Sequence, residues 1–310
     1  MGNSYISIMG LLYSGSSAVF DYVRQFEGFG YMSNDESRIF INGITTLYEL
    51  KKNNQKPTEE QKRKIISRFS GDFDNSLYWY NGNVAKNRSM FMGIDTDKSG
   101  KLIREFLEKI EDVDIKKFIL LARKFIDEFC SLKLSEDTRI LNNDPDACLI
   151  SSTLLFDRNK AVVVYRNLCD QFIDQINHKS SYYLKGKDKT ENVVANMENA
   201  KIFVDNMNWR IQLFVRDIEF IEKYDSKRLK NICIVSFEDF IRDEEVRNGV
   251  CSFLELSERS WYSHPVFETF FPEQSVLNIG ISKGIKQEIR DYITSNVEIH
   301  KIISRNKVTL

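Results

Sequence analysis

The chain has 310 residues, 42% hydrophobic and 29% charged, a balance that permits a buried core and excludes a disordered chain. Lys plus Arg number 44 and Asp plus Glu 45, for a net charge of -1. No global basic excess points to nucleic acid or an anionic membrane, so any anion site must be local.

SYISIMG predicts a short strand ending at Gly10, and the Gly/Ser-rich loop GLLYSGSS follows it. AVFDYVRQF then sets Val19, Phe20, Val23 and Phe26 on one helical face. Residues 51–70 are polar and lysine-rich, with PTEEQKRKII predicting an exposed helix started by Pro57 and Thr58. GKLIREFLEKI and IKKFILLARKFIDEF predict two amphipathic helices between 100 and 130. TRILNN and KAVVVYR read as strands, the second buried, and LCDQFIDQI as a helix. Residues 179–192 read as a polar, mobile loop. A long helix around Trp209–Tyr224, the buried strand NICIVSF and the helix EEVRNGVCSFLEL follow. The tail from Ser275 holds LNIGISKGIKQEIRDYI, a glycine loop entering a helix.

This alternation predicts an α/β fold with three layers, α/β/α, around a mostly parallel central sheet. The opening strand, glycine loop and helix make it P-loop-like. A single domain over residues 1–310 is expected, with a helical insertion at about 51–135. No apolar run approaches the roughly 18 residues of a membrane span. The N-terminus lacks the basic and apolar regions of a signal peptide. A cytoplasmic protein without a transmembrane segment is expected.

The 5 cysteines form no C-x-x-C pair and sit in apolar surroundings, so they read as buried, reduced thiols. The 3 histidines are far apart and supply no metal motif. DTDKSG at Asp95–Gly100 imitates the start of a calcium loop, but the last ligand position holds Phe106. Asn87 opens a glycosylation sequon that nothing routes to a secretory pathway. Tyr78, Trp79 and Tyr80 read as core aromatics before they read as a stacking platform.

In a parallel sheet, ligands sit beyond the carboxyl ends of the strands. Gly10, Gly15, Ser16 and Ser17 have the spacing of a phosphate-binding loop, with Ser16 where the lysine of an ATPase or kinase would stand. Backbone amides at a helix N-terminus still bind an anion without that lysine, and the Ser14, Ser16 and Ser17 hydroxyls add donors. The bland alternative is a Ser/Gly turn capping a helix. VVVYRN ends a strand in Arg166, where a nucleotide kinase would favour an acid; an arginine suits a phosphate or a salt bridge at the sheet edge.

YSGSSAV after a strand resembles the 5′-phosphosulfate loop of sulfotransferases, which use 3′-phosphoadenosine 5′-phosphosulfate (PAPS). Ser14, Gly15, Ser16 and Ser17 match that loop, and Tyr13 stands where the family usually has Lys or Arg. VVVYRNLCDQF resembles the 3′-phosphate-binding segment R-[DN]-P-x-D: Arg166, Asn167 and Asp170 match, Leu168 replaces the proline, and Asp174 stands where a Ser is common. NDESRIF resembles the segment that carries the catalytic glutamate of carbohydrate sulfotransferases, which makes Glu36 the expected base, with Asp35 beside it as the alternative. Arg38 would steady the sulfuryl group or pair with Glu36. IVSFEDFI resembles a late strand of the family, with Glu238 and Asp239 expected to cap a helix. NIGISKGI resembles the C-terminal loop that folds over the nucleotide, making Ser282, Lys283 and Gly284 candidates and Lys283 the cation that Tyr13 does not supply.

The resemblance implies sulfuryl transfer from PAPS as co-substrate, without a metal, to a hydroxyl on a carbohydrate or glycoconjugate. Two other readings stay open. One is a P-loop-like nucleotide kinase or phosphotransferase. The other is a non-catalytic nucleotide-binding protein of the same fold.

Overall fold

The computed structural model describes residues 3–26, 28–30, 43–70, 94–135, 137–144, 147–178, 193–256, 276–306 and 308. The elements in chain order are β1 (Ser4–Gly10), α1 (Ser16–Val23), β2 (Phe29–Gly30), α2 (Thr45–Lys52), α3 (Glu59–Phe69), α4 (Thr96–Lys109), α5 (Ile115–Cys130) and β3 (Arg139–Asp144). After a 3-10 segment (Ala147–Leu155) come β4 (Arg158–Tyr165), α6 (Leu168–Asn177), α7 (Met197–Asp225) and β5 (Ile232–Ser236). The chain continues through α8 (Phe237–Arg242), α9 (Glu244–Leu254), α10 (Gln287–Asn296) and α11 (His300–Ile303).

The strands form a five-stranded parallel sheet in the order β2-β3-β1-β4-β5. Its second half follows from sequence. Ala161–Val164 are fully buried and β-branched or small, as a strand covered on both faces requires. They run parallel to β5, with Val163 opposite Ile234 and Tyr165 opposite Ser236. A parallel pair needs a crossover, and α6 and α7 supply it. The fold is therefore the α/β fold expected, with a parallel central sheet.

The described residues fall into two compact units. One gathers β2, α2–α5 and β3 with the start of β1. There Phe106 and Phe125 stack at 4.8 Å, and Phe69 meets Phe129 edge-on at 5.1 Å. Of the charged residues between these aromatics, Lys124 and Glu128 face water, and Asp127 accepts from the Tyr5 hydroxyl at 2.6 Å. Thr58 and Gln61 form a reciprocal capping box on α3, as Pro57-Thr58 predicts. Asp95 caps α4 through the amides of Asp97 and Lys98, so the calcium-loop lookalike DTDKSG is a helix start.

The other unit gathers the end of β1, α1, most of β4, β5 and α6–α11. Phe172 of α6 packs on Phe203 of α7 at 5.5 Å. Asp217 of α7, 4% exposed, accepts hydrogen bonds from the Ser151 amide and hydroxyl at 2.8 and 2.5 Å, which compensates the burial of its charge. The free thiols of all five cysteines are buried, and burial pushes Cys130 and Cys233 up to about 12. Among the described residues no helix is long and apolar enough to cross a membrane.

Candidate functional site

The loop between β1 and α1 is built by its neighbours. Gly15 enters α1 with φ of 87°, a conformation that favours glycine. A side chain there would also collide with the Phe237 ring, whose nearest carbon would lie 2.2 Å from an added Cβ. Gly10 answers a second constraint. A Cβ on it would fall 2.3 Å from Ser14 Oγ and 2.6 Å from Ser16 Oγ, so the two hydroxyls converge over Gly10. No side chain caps α1, and the first-turn amides of Ser16 and Ser17 have no intrahelical partner. Ser14 Oγ is buried and has no hydrogen-bond partner among the described residues.

Leu12 and Tyr13 are left-handed as well, with φ of 40° and 55°. For residues with a Cβ that costs roughly 1–2 kcal/mol each. The carbonyls of this strained stretch are all held. Gln171 of α6, itself buried, donates its side-chain amide to Leu11 O and Leu12 O. Arg166 Nη1 donates to Tyr13 O at 3.1 Å.

Arg166 follows β4 and is 3% exposed. Nη1 also pairs with Asp174 Oδ2 at 2.5 Å, and Nη2 donates to Asn278 O at 2.6 Å. Phe237 lies under the guanidinium at 5.3 Å. Another of its donors, Nε–H, is buried and has no partner among the described residues. An unmade hydrogen bond of this kind costs on the order of 1–3 kcal/mol, more at a charged group.

Asp174 is held from two sides. His178 Nδ1 lies 3.0 Å from its Oδ1, one helical turn along. Burial raises the Asp174 pKa, but the hydrogen bonds from His178 and Arg166 outweigh it, and the net shift is downward. The hydrogen bond to Asp174 raises the pKa of His178 against the opposing effect of burial. The Tyr13 ring stands 5.4 Å from the His178 ring.

The tail reaches the same corner. Asp170 in the first turn of α6 accepts from the amides of Gly280 and Ser282 at 2.6 and 2.9 Å. Arg290 of α10 donates to Ser282 O at 2.7 Å. Ser282 is therefore a buried anchor, whereas Lys283 and Gly284 beside it are exposed. Glu238 accepts from the Asn167 amide at 2.9 Å. The cap of α8 is Ser236, which accepts from the Asp239 amide at 3.3 Å, so the expected capping role of Glu238 and Asp239 passes to the residue before Phe237.

The structure thus brings together Ser14, Gly15, Ser16, Ser17 and Arg166, with Lys283 and Gly284 on the turn pinned to Asp170. Glu36, with Asp35 and Arg38, lies outside the described residues, as do Tyr78–Tyr80 and Asn87. Gln171 and Phe237 are the site residues that motif reading passed over. Their signal was faint: Gln171 and Gln175 are polar positions on the buried face of LCDQFIDQI. A cleft of about 800 Å³ in the first unit, lined among others by Lys98, Lys101, Asp127 and Asp137, contains none of the expected residues. Among the described residues no group of three or more His, Cys, Asp or Glu could hold a metal ion.

No family model matches the sequence, and no curated protein does. Solved structures of bacterial sulfotransferases match nearly the full length. The sulfotransferase domain of the olefin synthase of Synechococcus PCC 7002 matches with 13% identity and a TM-score of 0.41, over 98% of this chain and 93% of that one. Sulfotransferase STF1 of Mycobacterium tuberculosis H37Rv matches with 12% identity and a TM-score of 0.40, over 95% and 77%. Sulfotransferase STF9 of Mycobacterium avium matches with 10% identity and a TM-score of 0.43, over 99% and 77%.

Proposed function

We propose that the protein transfers a sulfuryl group from PAPS to a hydroxyl of a carbohydrate or glycoconjugate. One observation carries this reading. The β1–α1 loop and the arginine after β4 meet through a direct hydrogen bond, and at that corner two buried polar groups, Ser14 Oγ and Arg166 Nε, lack partners among the described residues. Buried polar groups are rarely left unsatisfied in folded proteins. Anionic oxygens would satisfy both, so the residues present fit a nucleotide with phosphates on two sides.

PAPS, when bound, supplies an activated sulfuryl group on its 5′-phosphate. The chain's own residues then have separate tasks. The amides of Ser16 and Ser17 and the Ser14–Ser17 hydroxyls hold the 5′ side and offset negative charge growing on the leaving oxygen. Arg166 holds the 3′-phosphate through its unused Nε–H, a charge-assisted contact. Glu36 accepts the acceptor's proton, and Lys283, on an exposed turn, approaches the leaving group as a mobile cation. Much of the rate would come from positioning.

Calorimetry with 3′-phosphoadenosine 5′-phosphate (PAP) and ADP tests the reading. PAP should bind tighter than ADP by roughly tenfold, the worth of one charge-assisted contact. Magnesium-dependent ADP binding with no preference for PAP would sink it. With an acceptor in hand, Glu36→Gln should keep PAP affinity and lose about 100- to 10,000-fold in turnover. A second reading, nucleotide binding without turnover, is favoured by the Arg166–Asp174 pair, which partly neutralises the arginine after β4. PAP binding with no transfer to any hydroxyl acceptor would select it.

A further inference from the structure

The β1–α1 loop has an unusual requirement: Leu12 and Tyr13, both with side chains, must hold left-handed backbone beside a left-handed Gly15. A chain free to relax would turn Leu12 back to ordinary backbone and reorient the flanking peptides. The carbonyls of Leu11 and Leu12 would then no longer be committed, and an uncommitted carbonyl dipole near the mouth of α1 repels an anion. Something must keep them turned inward.

Gln171 has the chemistry for it. Its side-chain amide carries two N–H bonds, and it meets two carbonyls, Leu11 O and Leu12 O. It is 1% exposed and sits on α6, a rigid element capped by Asn167. A methionine or leucine would fill the same space on this buried face without donors, so packing alone does not ask for an amide. The loop it holds is also aimed at a ligand by an independent sign: Ser14 Oγ, on a residue 1% exposed, has no partner among the described residues and converges with Ser16 Oγ over Gly10.

We infer that Gln171 is a positioning residue for the anion site: it fixes the Leu11 and Leu12 carbonyls away from the mouth of α1 and so keeps the loop amides and hydroxyls directed at the ligand. The inference rests on the nucleotide reading of this loop, though not on which nucleotide. It also accounts for a loop that works without a basic residue at Tyr13. Preorganised amides need no reorganisation when the anion arrives, and the clamp, in place of a local charge, supplies that order.

The test is a binding cycle on the full chain with PAP and ADP as probes, both of which carry a 5′-phosphate. Gln171→Met should weaken both ligands by about tenfold, because two hydrogen bonds of the loop are lost. Leu12→Gly relieves the left-handed strain, since glycine adopts that backbone freely. In a Leu12→Gly background, Gln171→Met should therefore cost less than about threefold. A residue that only filled the core would show the same loss in both backgrounds. Gln171→Asn, an amide one methylene too short, should behave like Gln171→Met, and serves if the latter does not fold.

Unchanged affinity for both ligands in folded Gln171→Met overturns the clamp and leaves the PAPS reading standing. Equal loss with and without Leu12→Gly also overturns it. If the wild type binds PAP no better than ADP, yet both weaken in Gln171→Met and recover with Leu12→Gly, the PAPS reading fails and the clamp stands. A wild type that binds neither ligand overturns both.

Discussion

Oppositely charged side chains occur in two quite different settings. In and before α3 and in the turn before α5 they lie in water: Lys56–Asp112 at 2.8 Å has partners 70% and 80% exposed, and Lys64–Glu60 at 2.7 Å has 65% and 77%. At the β4–α6 corner Arg166 meets Asp174 at 2.5 Å with exposures of 2% and 20%. The distances are alike and the energetics are not. An exposed pair gains little because water solvates each partner as well as the other does. A buried one must be hydrogen-bonded throughout, and removing one partner strands the other. The helices are held by their aromatic core, and their charges are incidental to it. The corner is held by hydrogen bonds among buried polar groups.

Truncating the aromatic core should give the largest effect. Phe125 touches Phe69, Phe106 and Phe129 at centroid distances of 5.5, 4.8 and 6.0 Å and is 3% exposed. Phe125→Ala should lower the unfolding free energy by about 3–5 kcal/mol in urea titrations. PAP affinity of the folded fraction should not change. A large affinity loss would show that the helical unit and the corner are not energetically separate.

Arg166→Ala should come next, with a loss of about 3 kcal/mol, because it strands Asp174 and two carbonyl acceptors, Tyr13 O and Asn278 O. It should also abolish the preference for PAP over ADP. Lys56→Ala, which breaks the water-exposed pair, should leave the urea midpoint where it was. If both substitutions shifted the midpoint alike, the contrast between the two settings would be wrong.

The tail sharpens the same contrast at smaller scale. Its anchor is one carboxylate, Asp170, accepting from two amides. Asp170→Asn removes the charge and one acceptor. Hydrogen exchange at Gly280 and Ser282 should speed by roughly tenfold, with α10 unaffected. Exchange that stayed slow would mean that Arg290 and Arg166, which hold Ser282 O and Asn278 O, suffice alone. Adding PAP should slow exchange across 278–290, and Lys283→Ala should reduce that protection if Lys283 closes on the nucleotide.

Much of the fold was legible because it rests on patterns that repeat. The run KAVVVY has only one comfortable conformation, a strand covered on both faces, and PTEEQ has the chemistry of a capped helix start. The Ser14–Ser17 loop and Arg166 were legible as motifs, though not as neighbours. Their meeting through Tyr13 O depends on β4 lying beside β1, and strand order is not written in any local pattern. Asp174 was legible only as a departure from the Ser common at its position. In the structure it is Arg166's partner, one helical turn before His178, a relation that the i, i+4 spacing contained. Gln171 was invisible because its partners are carbonyls, which carry no sequence signature.

The smallest expected effect is the one with the clearest sign. His178 has its pKa raised by Asp174, so its share of stability is fully present below the ordinary imidazole value and fades as pH rises through the raised folded value. Asp174 has its pKa lowered by His178 and Arg166 against burial, so its share is present above the ordinary carboxylate value and fades as pH falls through the lowered folded value. Both charges therefore work together only between those limits. The His178 ring is 61% exposed, so screening by water keeps the effect small. The melting point of the wild type should exceed that of His178→Gln at about pH 5.5, and the two should converge by about pH 8.5, above the ordinary imidazole pKa of roughly 6.5. A gap that persists at the higher pH would assign His178 a packing role against Tyr13. A gap that widens there would reverse the sign of the linkage and remove His178 as the charge that helps Asp174 hold Arg166.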